Sequence, residues 1–103
     1  MIVEYRISSF LERSIDRCFV TGCIVTGTLR VGCVFTFVAT PFVLDAKTHT
    51  MGQKNRRQIL LQVMKMEWRN KLWQELEAGD TPGLELSGKG VELLNHPDIL
   101  IAE

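Results

Sequence analysis

Phe19-Val20-Thr21-Gly22-Cys23-Ile24-Val25-Thr26-Gly27-Thr28-Leu29-Arg30-Val31-Gly32 is the stretch that decides the fold. Three glycines recur five positions apart, with β-branched and apolar residues between them. Glycine tolerates positive φ and close backbone approach, so it marks bends and bulges between strands. Valine, isoleucine and threonine prefer a pleated, half-buried surface. The economical solution is two short strands joined around Gly27, with a second bend at Gly32 leading into Val34-Phe35-Thr36-Phe37-Val38. A tightly turning meander of this kind closes a small barrel, and closure removes the edges that a small open sheet exposes.

Working outward, strands are expected near residues 3–11, 18–25, 28–30 and 33–39. Residues 40 to 57 hold Pro41, Asp45, Lys47, Thr48, His49, Thr50, Gly52, Gln53 and Asn55, which is turn and loop composition. A long connection is expected there, and long loops in compact domains are often functional. Residues 56 to 77 carry two competing periods. Leu60, Met64, Trp68, Leu72 and Leu76 recur every four residues, as on a helix face. Met64, Met66 and Trp68 alternate with Lys65, Glu67 and Arg69, as on a strand. Pattern alone gives one long helix ending before Gly79, while the alternation is compatible with a strand over the first half, followed by a helical turn over residues 70–77. Asp80-Thr81-Pro82-Gly83 is a turn cluster, Leu84-Glu85-Leu86 a short strand, Gly88-Lys89-Gly90 another turn, and Ile99-Leu100-Ile101 the strand that closes the sheet.

The same residues resemble a family. Val20-Thr21-Gly22, Gly27, Leu29, Val31-Gly32 and Phe35 follow the pattern V-T-G, four residues, G-x-L-x-V-G, two residues, V. That pattern belongs to the second, β-barrel domain of translational GTPases such as elongation factor Tu. A second block follows in the right order. Glu67, Lys71-Leu72, Glu75, Ala78-Gly79-Asp80, Gly83-Leu84 and Leu86-Ser87-Gly88 are similar to the family's A-G-(D/E)-N-V-G-L-x-L-R-G segment and the residues before it. The resemblance spans most of the chain except roughly residues 41 to 57. It implies an all-β fold, a small closed antiparallel barrel of about six strands, with a strand rather than a helix through about residues 61–68, which the alternation supports. It also implies that Glu67 matches the acidic residue that contacts the terminal adenine of tRNA in the family. Thr81 stands where the family has asparagine, Arg17 where it has glycine, and Arg69 where it has phenylalanine.

Composition sets the remaining bounds. A length of 103 residues suits one domain over residues 1–103. Hydrophobic residues make up 46% and charged residues 23%, as in an ordinary globular chain. The formal net charge is zero, which argues against a bulk nucleic-acid binder but permits a local patch. Glu4 and Arg6 interrupt the N-terminus, so no signal peptide is expected. Val31 to Leu44 is too short and too interrupted to span a membrane, and a cytoplasmic location is expected. Cys18, Cys23 and Cys33 form no C-x-x-C pair and are odd in number, so they are expected as core residues rather than metal ligands or disulfides.

Nothing in the sequence carries chemistry. No G-x-x-x-x-G-K-[ST] is present to cradle phosphates, and Gly52-Gln53-Lys54-Asn55 is only half of a guanine-recognition motif. His49 and His96 sit in loop and turn contexts, and Ser8, Ser9 and Ser14 lack a nucleophile elbow. Glu75, Glu77 and Asp80 read as a solvated face. No enzyme activity, cofactor or metal is expected. Binding is what remains. Lys54, Arg56 and Arg57 cluster at the end of the 40–57 segment and could contact phosphates. Trp73 is a candidate interface anchor or homo-oligomer contact, and Trp68 a core residue on the opposite side. The first expectation is a non-enzymatic interaction module that binds a protein partner of regulatory or immunity type. The second is an RNA or translation-apparatus binder using Glu67, Thr81 and the basic patch.

Overall fold

The structure, a computed structural model, describes residues 2–48 and 50–103. Among the described residues, nine strands follow in order: β1 Val3–Arg13, β2 Arg17–Thr26, β3 Thr28–Arg30, β4 Val34–Asp45, β5 Thr50–Trp68, β6 Lys71–Trp73, β7 Glu75–Glu77, β8 Gly83–Lys89 and β9 Ile99–Ala102. A 3-10 turn, Val91–Leu93, lies between β8 and β9. The main sheet runs β4-β9-β1-β2-β8-β5-β6, and β5 also pairs with β4. Six strands therefore form a closed antiparallel ring, as the sequence led one to expect. Strands β3 and β7 form a separate two-stranded ladder.

The glycines do what the opening stretch requires, each in its own way. Gly27 and Gly32 have φ of 80° and 95° and turn the chain on either side of β3. Gly22 does not turn. It lies inside β2 opposite Ile7, where any Cβ would collide with the carbonyl oxygen of Arg6. The register of β1 against β2 shifts beside it, between Ile7 and Ser9, so the close approach sits at a bulge.

The ring closes over one apolar core. Tyr5, Ile7, Val20, Ile24, Phe35 and Leu61 are all fully buried within it. The Tyr5 hydroxyl donates to the Pro82 carbonyl at 2.7 Å, which satisfies the one polar atom of that ring. Two backbone exchanges bind the bends to the ring. Gly32 N–H donates to Val63 O and Val63 N–H to Cys33 O, both at 2.8 Å. Ile24 N–H donates to Asp80 O and Gly79 N–H to Ile24 O, both at 2.9 Å.

Three expectations are corrected. Residues 40–57 are not a loop: β4 and β5 continue as a paired hairpin, with Pro41 opposite Gln53 and Val43 opposite Met51. This ribbon is largely exposed, so its sequence carries no apolar period to announce it. His49 lies outside the described residues. The helical turn over 70–77 is also absent, and β6 and β7 occupy those positions. Arg69 and Asn70, with φ of 53° and 61°, form a two-residue hairpin turn between Trp68 and Lys71. Positive φ at both central residues is the signature of a type I′ turn, which suits the twist of antiparallel strands. Last, Met64 does not share a face with Met66 and Trp68. The register of β5 against β8 shifts between Val63 and Lys65, leaving Met64 as an extra, 45% exposed residue. Parity flips there: Ile59, Leu61 and Val63 face inward before the bulge, and Met66 after it.

Candidate interaction surfaces

Strand β5 carries a candidate surface at each end. At its start, β4 and β5 form an arm. β4 pairs with β9 only over Phe37–Ala39, and β5 meets β8 only from Leu60 onward. Between those limits and the turn after Asp45, each strand has only the other as ladder partner among the described residues. Val43, Leu44 and Met51 are exposed on this arm at 58%, 59% and 47%. The Phe42 ring lies over Gly52, and the Lys54 ammonium is 5.7 Å from its centroid.

The basic patch is largely spoken for within the chain. Arg56 pairs with Glu103, and its guanidinium lies 4.1 Å from the Phe37 ring centroid. Arg57 donates from Nη2 to Asp98 Oδ2 at 2.8 Å. Asp98 is buried, and it also accepts from the Asn95 N–H at 3.0 Å and the Thr40 hydroxyl at 3.3 Å. This cluster staples the base of the arm to the turn that enters β9. Arg57 thus has a structural role within the chain, while Lys54 and Arg56 lie over aromatic rings and remain exposed.

At the far end of β5, Trp73 and Thr81 both bond Trp68, and Glu67 lines a groove that Trp68 also borders. Trp73 Nε1 donates to the Trp68 carbonyl at 2.8 Å, and Trp68 Nε1 donates to Thr81 Oγ1 at 3.2 Å. The two indole centroids are 5.7 Å apart with planes tilted by 57°. The expectation that the two rings face opposite sides therefore fails. The Arg69-Asn70 turn folds β6 back on β5, so Trp73 lies opposite Met66 and both indoles pack against the edge of the core. Trp68 is half-buried rather than fully enclosed.

Two shallow grooves flank Trp68. One, of about 260 Å³, is lined by Phe19, Thr21, Glu67, Trp68 and Arg69 among others. The Arg69 guanidinium is stacked 4.3 Å from the Trp68 ring centroid. The other, also about 260 Å³, is lined by Trp68, Trp73, Glu75, Glu77 and Asp80, with Thr28 and Leu76. Sequence reasoning had the acidic residues of this second groove but missed its aromatic walls. The missing signal was Asn70, a residue that tolerates the left-handed region and so permits a tight hairpin.

The remaining polar and thiol groups offer less. His96 is exposed in the turn before β9. Cys18, Cys23 and Cys33 are free. Burial pushes the Cys18 thiol up to about 11 and raises Cys33 as well. Among the described residues, no group of three or more potential ligands could hold a metal ion. No helix among them is long and apolar enough to cross a membrane.

The closed ring, the β3–β7 ladder and the bends between them can be matched to solved structures. The chain superposes on translation elongation factor SelB from Methanococcus maripaludis, both in its apo form and in complex with the GTP analogue GppNHp. In each case the TM-score is 0.71 and the sequence identity 17%, over 100% of this chain and 19% of that one. The fold is shared with a translational GTPase. At this identity the likeness concerns architecture alone, and the chain spans about a fifth of the larger protein's length. No family model matches the chain, and no curated protein does.

Proposed function

We propose that this chain is a non-enzymatic interaction module, built on a translation-factor β-barrel fold, that binds a protein partner of regulatory or immunity type. The observation that carries this is the arm. It projects from the ring with both strand edges unladdered and with Val43, Leu44 and Met51 exposed. Its cations Arg56 and Arg57 are already paired with Glu103 and Asp98, which favours an apolar contact over a phosphate contact. A cytoplasmic location belongs to the same proposal and is supported by the three free thiols.

The test is salt. An apolar protein interface survives high salt, whereas phosphate contacts weaken steeply. A partner captured by the tagged protein should stay bound at high salt and be lost from a Val43→Asp, Leu44→Asp variant of unchanged thermal stability. Capture that is indifferent to these changes overturns the arm.

A second reading is supported by the groove at Glu67. Phe19, Trp68 and the stacked Arg69 offer flat surfaces suited to a nucleobase. Binding of a single-stranded RNA oligonucleotide that falls sharply with salt, and falls again in Glu67→Gln, would favour that reading instead.

A further inference from the structure

We infer that the second groove, between the indoles and the acidic strand β7, takes a basic side chain, lysine or arginine, from an extended segment of a protein partner. The inference rests on the chain being a protein-binding module, but it uses a different surface from the arm.

The walls of the groove select for charge. The faces of Trp68 and Trp73 present the negative side of their ring quadrupoles, which attract ammonium and guanidinium groups. Both indole N–H groups are consumed inside the protein, by Thr81 and by the Trp68 carbonyl. The rings are thereby held in place along the groove, and their donors are not available to a ligand. Trp68 already attracts one cation of its own chain, since Arg69 stacks on it. Arg69 lines the other groove, however, and among the described residues no basic side chain lines this one.

The rim adds carboxylates in unequal states. Glu75 is paired with Arg30. Asp80 Oδ2 accepts the backbone N–H of Glu77 at 3.0 Å, holding the turn. Among the described residues, the Glu77 carboxylate has no hydrogen-bond or ion-pair partner. It is the free counter-ion of the groove. The volume of about 260 Å³ suits one long side chain rather than a larger ligand.

The source of the cation follows from the neighbouring backbone. β6 is the terminal strand of the main sheet, and its outer edge has no strand partner among the described residues. An extended segment can lie along such an edge and direct one side chain into an adjacent pocket. A free amine would fill the groove without using that edge.

The test uses capped single residues, so it needs no identified partner. N-acetyl-lysine methylamide and N-acetyl-arginine methylamide are titrated into the full chain while indole N–H signals are followed by NMR. Only two tryptophans are present, so one variant, Trp73→Phe, assigns both signals. Saturable shifts of both indoles and of the amides of residues 75–80 are expected, with none from the neutral N-acetyl-norleucine methylamide. Glu77→Gln should weaken binding roughly three- to fivefold. No saturable shift, an equal response to norleucine, or indifference to Glu77→Gln overturns the site. Butylammonium binding as tightly as capped lysine overturns the polypeptide source. A silent groove alongside arm-dependent partner capture sinks this inference alone. Saturable lysine binding without arm-dependent capture supports the groove and sinks the arm.

Discussion

The two ends of β5 are made from one continuous strand, yet they obey different rules. From Ile59 to Met66, inward residues are buried in the ring and the pattern alternates apart from one bulge. From Thr50 to Arg56, no residue is buried. The inner end is held by two ladders and a core. The outer end is held by one ladder and by a staple at its base. A strand therefore needs only a partner's backbone to exist, but it needs a buried face to be stable. The outer end spends backbone order on exposed surface, which is the physical reason to look for a binding role there.

The largest expected effect tests that contrast within the strand itself. Leu61→Ala removes a fully buried side chain from the inner end and should cost about 2–5 kcal/mol. Met51→Ala, at the outer end, should change stability by no more than about 0.5 kcal/mol. Urea unfolding of the two variants checks this. Comparable losses would mean that the arm packs on something in solution and is not free.

Next in size is the staple. Asp98→Ala leaves Arg57 without its carboxylate and the Asn95 N–H without an acceptor. Removing one partner of a buried pair costs about 3–5 kcal/mol, and Arg57 retains some access to water, so roughly 2–4 kcal/mol is expected. Hydrogen exchange should show where the loss falls. Amides of residues 40–58 should exchange faster relative to those of β1 and β2, because the staple joins the arm to the ring. Uniform acceleration would mean that arm and ring unfold as one unit.

The same contrast explains what the sequence disclosed. β2, β3 and the inner half of β4 were legible because glycine bends and β-branched residues coincide along them, and β1 and β9 because short apolar runs mark them. The family resemblance carried the inner end of β5 past its helical period. The arm was illegible because exposed hairpins have no apolar period, and Pro41, Gly52 and Asn55 read as loop. The bulge at Met64 was illegible because it shows only in the register against β8. Around Trp68 the sequence named the neighbours without their arrangement: Trp73 and Thr81 both bond Trp68, which had been assigned to the core, and Glu67 lines a separate groove beside it. The pairing of Arg57 with Asp98 crosses 41 positions, and no local pattern announces it.

Alkaline pH should act on the ring and spare the arm. The Cys18 thiol is raised from 9.0 to about 11 by burial. Between those values the unfolded chain loses a proton that the folded chain keeps, so stability falls as pH rises. By pH 10 the loss from Cys18 should be about 1.4 kcal/mol. Cys33 and Tyr5 are raised as well and add in the same direction. Denaturation midpoints at pH 8 and pH 10 should therefore separate less in Cys18→Ala than in the parent chain. A parent chain equally stable at both values would show that Cys18 reaches solvent.

The smallest effect concerns the far end of β5, where the indoles meet. If Trp68 and Trp73 act as a pair, their contributions to stability cannot be independent. Tilted aromatic pairs at this separation add about 0.5–1.5 kcal/mol beyond the area they bury. Trp68→Ala should be the costlier single change, because it removes the ring that bonds Thr81 and supports both Arg69 and Trp73. Trp73→Ala should cost less, yet it frees the Trp68 carbonyl of its indole donor. The double variant should then be less destabilised than the sum of the singles, by about the pair energy. A coupling near zero would separate the two rings energetically, making Trp68 part of the ring and Trp73 part of the surface. A coupling in the expected range would make the pair one rigid wall, at the end of β5 opposite the arm.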